Sequence, residues 1–550
     1  MFLLQSYEKV IDFTNICRIK NKLFSLLFVK GVDMRKNNLT KDYLPFRFLL
    51  LAFFVVTLNA CAQSGKLPVI TITANTELNA TKKVMAHMKT DGYDGNIGIK
   101  LRGNSSLSFN QKKYTLELRD DDGKEQDVAL LGMPAHSDWV LLAPYNDVSM
   151  LRDPMAFQMW REMGHWAPRT KMVELVFNGE YCGIYILSEA IKRGADRVNI
   201  NKMKKSDVTG CDVTGGYILR IDTYNDDDAT FPSKVPGIGP GIMTSQITWS
   251  CIYPKKKSLQ PEQMTYIQNY IDTVESVIQG PDFADPQKGY ARYIDVASFV
   301  DYFIHTELSL NADGYKRSAY FYKEKQQEDG TGGKLVAGPV WDYNLAYGNC
   351  NFCNANQLED WCFEGCNTQP TPAIWQRLLQ DPAFRKAVKV RYQELRKTVL
   401  STKHLNAFID SQVKLLQKSK DHHFETFPEL LVSQNRPQQD TPSQGPPMMG
   451  GFGMFSGGRN FSFDPISMFA AYRVSSYDEE ISILKQWLAD RLAFLDKNIS
   501  RFDTDWEPRI QVPKEIKSQF GGFGGGGFGG GFGGYGGGGF GGGFPFPRMQ

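Results

Sequence analysis

Between residues 67 and 120 apolar and polar positions alternate. The run KKYTLELRD places Tyr114, Leu116 and Leu118 on one face and Lys113, Thr115 and Glu117 on the other. That period of two predicts a half-buried strand. LPVITITAN and NIGIKLRGNSS in the same stretch read as strands, as do DWVLLAPY (138–145) and GGYILRIDTY (215–224). The segment 171–191, KMVELVFNGEYCGIYILSEAI, predicts a hairpin around Asn178-Gly179, a strong two-residue turn signal. A helix is predicted near 149–163, capped by Asp147 or Ser149, with Pro154 near its first turn where proline is tolerated.

Beyond residue 260 the apolar spacing changes to three and four. It predicts helices over 262–280, 295–311, 373–400, 403–420 and 478–499. Between the second and third of these lie two strand-like runs, 318–323 (SAYFYK) and 334–340 (KLVAGPV), joined by a polar glycine-rich turn. The expected class is α+β, a β-rich half over 67–192 and a helical half over 193–505, with a cleft between them. Residues 434–462 are rich in Pro, Gly and Gln, and the tail 506–550 is dominated by Gly and Phe from 520 onward. Both are expected to be disordered, because glycine at that density cannot offset backbone entropy by burial.

Composition adds a boundary. Lys and Arg number 63 against 60 Asp and Glu, a net charge of +3, with no basic stripe. Nucleic acid is therefore not an expected partner. The apolar run 46–60, FRFLLLAFFVVTLNA, has the length of a signal-peptide core rather than of a membrane span, and Arg35, Lys36 and Lys41 precede it. It ends in LNAC, which resembles a bacterial lipobox with Cys61 as the lipidated residue. Met34 would open a leader of ordinary length, so 1–33 reads as an over-extended start. The mature chain is thus expected to be tethered by lipid to a bacterial envelope membrane, facing the periplasm or the exterior. Four cysteines cluster as Cys350, Cys353, Cys362 and Cys366. Their spacing admits a zinc site or two disulfides, and export favours disulfides.

The candidate chemistry sits at the ends of the hairpin. Asp313 lies five residues before its first strand and Asp342 two after its second. Antiparallel pairing would bring both carboxylates to one end of a sheet. Two close acids repel unless a positive charge lies between them. A divalent cation carrying phosphate oxygens supplies that charge. One acid can then hold the metal while the other orients a hydroxyl and takes its proton. Each acid is equally compatible with an ordinary turn.

IKLRGNSS, KKYTLEL, DWVLLAPYNDVSMLRDPMAF, VFNGEYCGIYILSEAI, GGYILRID, NADGYKRSAYFYK, GPVWDYNLAYGN and ILKQWLADRLAFLD occur in order over roughly 67–500. This ordered set resembles the spore coat protein H (CotH) family of atypical secreted kinases, in the lipid-anchored form of Bacteroides-type bacteria. The resemblance implies a reduced two-lobed kinase-like fold, ATP with Mg²⁺ or Mn²⁺, and phosphate transfer to hydroxyl side chains of exported proteins. It also implies roles: Asp313 in NADG as the catalytic acid and Asp342 in WDYN as the metal-holding one. Ser318 occupies the position where kinases often have a metal-holding Asn, with Asn311 or Asn344 as substitutes.

Lys113 is the first choice for the nucleotide phosphates; Lys112 points to the opposite face of the strand and competes only through register. Arg102 could clamp phosphate or be a surface cation. Arg152 is either a buried structural arginine or phosphate-facing. Glu189 could pair with Lys113, bound the adenine, or cap the following segment. The histidines form no metal motif. His305 is expected to be packed or hydrogen-bonded, and His422-His423 a solvated helix end. The competing reading is a non-catalytic surface scaffold or adhesion lipoprotein on the same fold. A glycosidase comes third, and would need its carboxylates about 5 or 9 Å apart around a sugar groove.

Overall fold

The computed structural model describes residues 66–224, 228–239, 244–366, 370–432, 470–504 and 506. The leader with Cys61, the segment 434–462 and the Gly/Phe tail lie outside the described residues.

The alternating segments of the first half form seven strands. These are β1 (Val69–Thr73), β2 (Val84–Thr90), β3 (Tyr93–Arg102), β4 (Lys113–Arg119), β5 (Asp138–Leu142), β6 (Thr170–Phe177) and β7 (Glu180–Glu189). They close into a barrel in the order β1-β2-β3-β4-β5-β7-β6. Neighbours are antiparallel except at the seam, where β1 runs parallel to β6 with Val69 opposite Glu174. Asn178 and Gly179 form the two-residue β6–β7 turn with φ of 50° and 86°, the left-handed pair such a turn requires. Asn178 also accepts from and donates to the backbone of Ala74, pinning the turn to the end of β1.

One strand face fills the barrel with Ile70, Ile97, Leu116, Leu118, Trp139, Leu175 and Leu187. The outer faces of β5 and β7 carry Val140, Leu142, Ile184 and Ile186 into a second, larger core. That core holds α1 (Arg152–Glu162), α2 (Pro261–Gln279), α3 (Val296–Ser309), α4 (Ala373–Leu378), α5 (Pro382–Arg396), α6 (Thr402–Leu416) and α8 (Tyr477–Ile499), with the short α7 (Lys420–Thr426) against β7. The fold is thus mixed α+β, β-rich first and helical later.

Two expectations need correction. The second half is not simply helical. It is built around a five-stranded antiparallel sheet ordered β14-β13-β8-β12-β9, where β8 is Tyr217–Ile221, β9 Ala229–Pro232, β12 Thr248–Tyr253, β13 Ala319–Lys323 and β14 Leu335–Ala337. A small sheet of β10 (Gly237–Ile238), β11 (Thr244–Ser245) and β15 (Thr371–Pro372) lies beside it. The single helix expected over 373–400 is two, α4 and α5. Asp381 caps the second by accepting from Ala383 N–H at 2.8 Å, with Pro382 at its first position. Among the described residues no helix is long and apolar enough to cross a membrane.

Candidate active site

The hairpin forms as expected, with Phe321 opposite Ala337 and Lys323 opposite Leu335. Its far end is where the acids gather, and the sheet adds one that the hairpin alone does not. Strand β13 also pairs with β8, Ala319 opposite Ile221. The next residues outward, Ser318 and Asp222, therefore face one another. Ser318 Oγ donates to Asp222 Oδ2 at 3.4 Å, and Thr223 N–H donates to Oδ1 at 2.8 Å.

Asp313 stands in the turn after α3, which ends in left-handed Leu310 (φ 44°). Its N–H donates to Asn311 Oδ1 at 3.2 Å, and Arg317 N–H donates to its carbonyl at 2.9 Å. Tyr315, also left-handed at φ 68°, donates its hydroxyl to buried Glu307 at 2.9 Å. Asp342 follows β14 with φ 64°, a strained conformation for a non-glycine residue. The turn is held from below: Tyr343 N–H donates to Oδ1 of Asp153, in the first turn of α1, at 2.6 Å.

Lys113 reaches this cluster from the barrel, its Nζ 3.8 Å from Asp342 Oδ1. Lys112 points away and donates to Leu107 O at 2.8 Å. The register of β4 thus selects Lys113. Arg102, opposite Lys113 on β3, lies over the Trp341 ring at 5.0 Å, adjoining Asp342. Gly103 beside it has φ 122°, and a Cβ there would sit 2.0 Å from Ser106 Oγ, so only glycine fits this approach. Asn104 Nδ2 donates to Thr223 Oγ1 at 2.9 Å, tying the RGN loop to the strand end that carries Asp222.

The acids disturb one another. Burial, then the Asp342 charge, pushes Asp153 up to about 7. Burial and Asp342 likewise push Asp313 up to about 6, with Arg317 and Lys316 opposing. Asp222 is raised by burial against the pull of Arg220. Excess negative charge with one facing lysine is a donor set that a divalent cation and phosphate oxygens would complete. Among the described residues no three His, Cys, Asp or Glu converge as a self-sufficient metal cage. Magnesium held by one or two carboxylates plus substrate oxygens needs no such cage.

The profile of the family described as CotH kinase protein matches residues 99–495, which include every residue of this cluster. The chain belongs to the CotH kinase family. Inner spore coat protein H of Bacillus subtilis (strain 168) is 23% identical over 307 residues, 56% of this chain and 72% of that protein. In this CotH chain Arg152 and Glu189 are both engaged in buried ion pairs. Arg152 is fully buried in the structural role: it pairs with Asp147 and Glu480 at 2.5 and 2.6 Å and donates to Tyr472 OH and Ala346 O. Glu189 does not pair with Lys113. It is fully buried and bonded by Arg169 at 3.0 Å, with Arg197 at 3.9 Å.

The cysteine cluster of the CotH chain holds one disulfide, not the two expected. Cys353 and Cys366 are bonded, whereas Cys350 and Cys362 are buried free thiols. His305 is packed as expected, with Nε2 on Ala156 O and Nδ1 on Tyr343 OH, and burial lowers it to about 4. His423 is not solvated; it is buried and accepts from Ile184 N–H at 3.1 Å, while His422 stacks on Tyr181. Asn344 Nδ2 donates to Asn146 Oδ1 at 2.8 Å, a bond that does not use the amide oxygen a metal would take. Asp153 and Asp222 were missed in the sequence. The available signals were an acid immediately after a strand, in ILRID, and an acid in a helix's first turn, in LRDP.

Proposed function

We propose that this chain is an atypical kinase that passes the γ-phosphate of ATP to hydroxyl side chains of exported proteins. The observation that carries the reading is Lys113 meeting Asp342 beside half-buried Asp313. Phosphoryl transfer asks a protein mainly for positioning and charge neutralisation. Lys113 and Arg102 are placed to hold phosphate oxygens, and Asp342 to hold Mg²⁺ or Mn²⁺. The bound metal would supply Lewis-acid neutralisation of phosphate charge. Asp313 orients the acceptor hydroxyl and takes its proton; a carboxylate raised to about 6 is a better base than an ordinary one while still ionised near neutrality. Ser318 serves the site through Asp222, which its hydroxyl contacts. The barrel supplies the cation and the second half the acids, the division expected of a reduced two-lobed kinase.

The apolar run 46–60 and LNAC support export and lipidation of Cys61, which would make the site face the periplasm or the exterior. Purified full chain should label itself or a generic acceptor from radioactive ATP with Mg²⁺ or Mn²⁺, and Asp342→Ala should abolish the label. Undiminished labelling by that variant would overturn the metal assignment. Incorporation of labelled palmitate that disappears in Cys61→Ala checks the anchor.

A further inference from the structure

The lysine runs KMKK (202–205) and KKK (255–257) are far apart in the chain, and the fold makes one surface of them. Gln263, in the first turn of α2, donates from Nε2 to the carbonyls of Lys204 and Asp207 at 2.7 and 3.1 Å. Its Oε1 accepts from Gln260 N–H at 3.0 Å, three residues after Lys257. Arg193 lies 5.9 Å over the Tyr253 ring, two residues before Lys255. Lys202, Lys204, Lys205 and Lys255–Lys257 are all exposed. The acids of this face are Asp196, Asp207, Asp212, Glu262 and Glu324. Asp212 pairs with Lys325, while Asp207 and Glu324 accept from the N–H groups of Lys204 and Asn201 at 2.8 Å. With all five ionised, Arg193, Lys325 and the six lysines of the two runs still leave positive charge in excess. Glu328 and Asp329 lie beyond, at the tip of the β13–β14 hairpin.

The chain enters the fold on the same side. Strand β1 starts with Val69 opposite Glu174 of β6, and β6 starts with Thr170 opposite Ser188, the last residue but one of β7. Arg193 follows four residues after that strand ends. Lys66, the first described residue, and Lys171 are exposed at this end. Cys61 precedes Lys66 by five positions, a reach of at most about 18 Å for an extended chain. The proposed active site is at the other end of both cores. Lys113 opens β4 beside Tyr114, which is opposite Leu141 near the end of β5, whereas Glu189 is opposite Trp139 near its start. In the five-stranded sheet Ile221, next to Asp222, is opposite Trp249, and Ile218 is opposite Tyr253 at the lysine end. The acids of the entry end of the barrel, Asp91, Asp120, Asp121, Asp122 and Glu125, sit in the loops after β2 and β4, on the other side of the barrel from β6 and β7.

We propose that this lysine face is a membrane-docking surface, which rests on anionic phospholipid headgroups and leaves the active site open away from the bilayer. The choice of partner rests on the reading of Cys61 as lipidated. An acyl anchor fixes how far a protein can stand from a bilayer but not which face it turns to it. Lysines near an anionic surface supply that orientation, through an attraction that salt weakens within a Debye length. A polybasic patch is also the usual second signal beside an acyl chain.

The test is lysine acetylation by a water-soluble reagent, read residue by residue by mass spectrometry. The full chain is reconstituted into vesicles of phosphatidylcholine alone, or of equal parts phosphatidylcholine and phosphatidylglycerol. On the anionic vesicles Lys202, Lys205, Lys255 and Lys257 should react several-fold more slowly, and high salt should restore their rates. Exposed Lys82, at the active-site end of the barrel, should react alike on both. The surface variant Lys255→Gln with Lys256→Gln and Lys257→Gln should lose the protection at Lys202 and Lys205 while keeping wild-type Tm and wild-type labelling from ATP. Equal rates on the two vesicles overturn the proposal, as does protection that ignores salt or survives in the triple variant. Protection seen in native envelopes but missing on phosphatidylglycerol vesicles would assign the face to an acidic protein partner and overturn it too. Palmitate incorporation without protection sinks the docking face alone; protection without palmitate incorporation sinks the anchor and leaves the face standing.

Discussion

At the scale of single residues, the decisive feature is how a strained turn is paid for. Asp342 holds φ 64°, and the bond from Tyr343 N–H to Asp153 is what fixes the turn. Asp153→Ala leaves that buried N–H unpaired and should cost about 1–3 kcal/mol, read by denaturant unfolding. Asp153→Asn keeps an acceptor and removes the charge. The sign of its pH dependence follows from the raised acid: the folded state binds a proton that the unfolded chain releases near pH 4, so wild-type stability falls as pH climbs from there toward about 7. Asparagine escapes that loss. The Tm of Asp153→Asn relative to wild type should rise across that window; a difference that stays flat would refute a buried proton. For Asp313 the expectation concerns rate. Labelling should fall as pH drops through about 6, with the base protonated, and Asp313→Asn should retain nucleotide binding while losing turnover. Legibility at this scale depended on register. Lys113 was separable from Lys112 because alternation along a strand is strict. Arg152 and Glu189 were not readable, since their partners Glu480 and Arg169 come from elements far away in sequence or across a hairpin.

At the scale of elements, the hairpin was legible because its strands and turn are local. Its neighbour β8 was recognised as a strand but not as a partner, so Asp222 stayed hidden: antiparallel pairing across about a hundred residues leaves no local mark. Barrel closure was hidden for the same reason, resting on the parallel β1–β6 seam. The break between α4 and α5 was the opposite case, with Asp381-Pro382 printed in the sequence but overridden by continuous apolar spacing. The disulfide-stapled segment ties to the Asp313 turn through a third element. Cys362 and Phe363 N–H groups donate to Glu307 of α3 at 2.9 Å, and Glu307 also accepts from Tyr315. The bridge joins residues 13 apart in sequence, which in the loop-entropy view is worth roughly 3 kcal/mol. Cys353→Ser with Cys366→Ser should therefore lower Tm and, through Glu307, reduce labelling beyond what the fraction folded explains. Unchanged specific activity of the folded fraction would show that the staple does not reach the Asp313 turn.

Across the whole molecule, the site exists only where the two cores meet. Lys113 stands on the outer face of a barrel strand whose other face fills the barrel, while Asp342 and Asp313 are carried by the sheet and helix of the larger core. Lys113 belongs to the barrel and Asp342 to the larger core, so the 3.8 Å contact reports how the barrel docks on the rest. The Asp342 side chain is 37% exposed, so solvent limits what the pair adds to stability in the free protein, about 0–1 kcal/mol. Nucleotide binding should expose the coupling more fully, because a metal-bound triphosphate would engage both partners at once. In a double-mutant cycle, Lys113→Met and Asp342→Ala should each weaken binding of ATP with Mn²⁺, and the double variant should lose less than the two losses combined, by about 0.5–3 kcal/mol as for residues in contact. Additive losses would mean that lysine and aspartate act at separate places, and the barrel would then be a neighbour of the site rather than half of it.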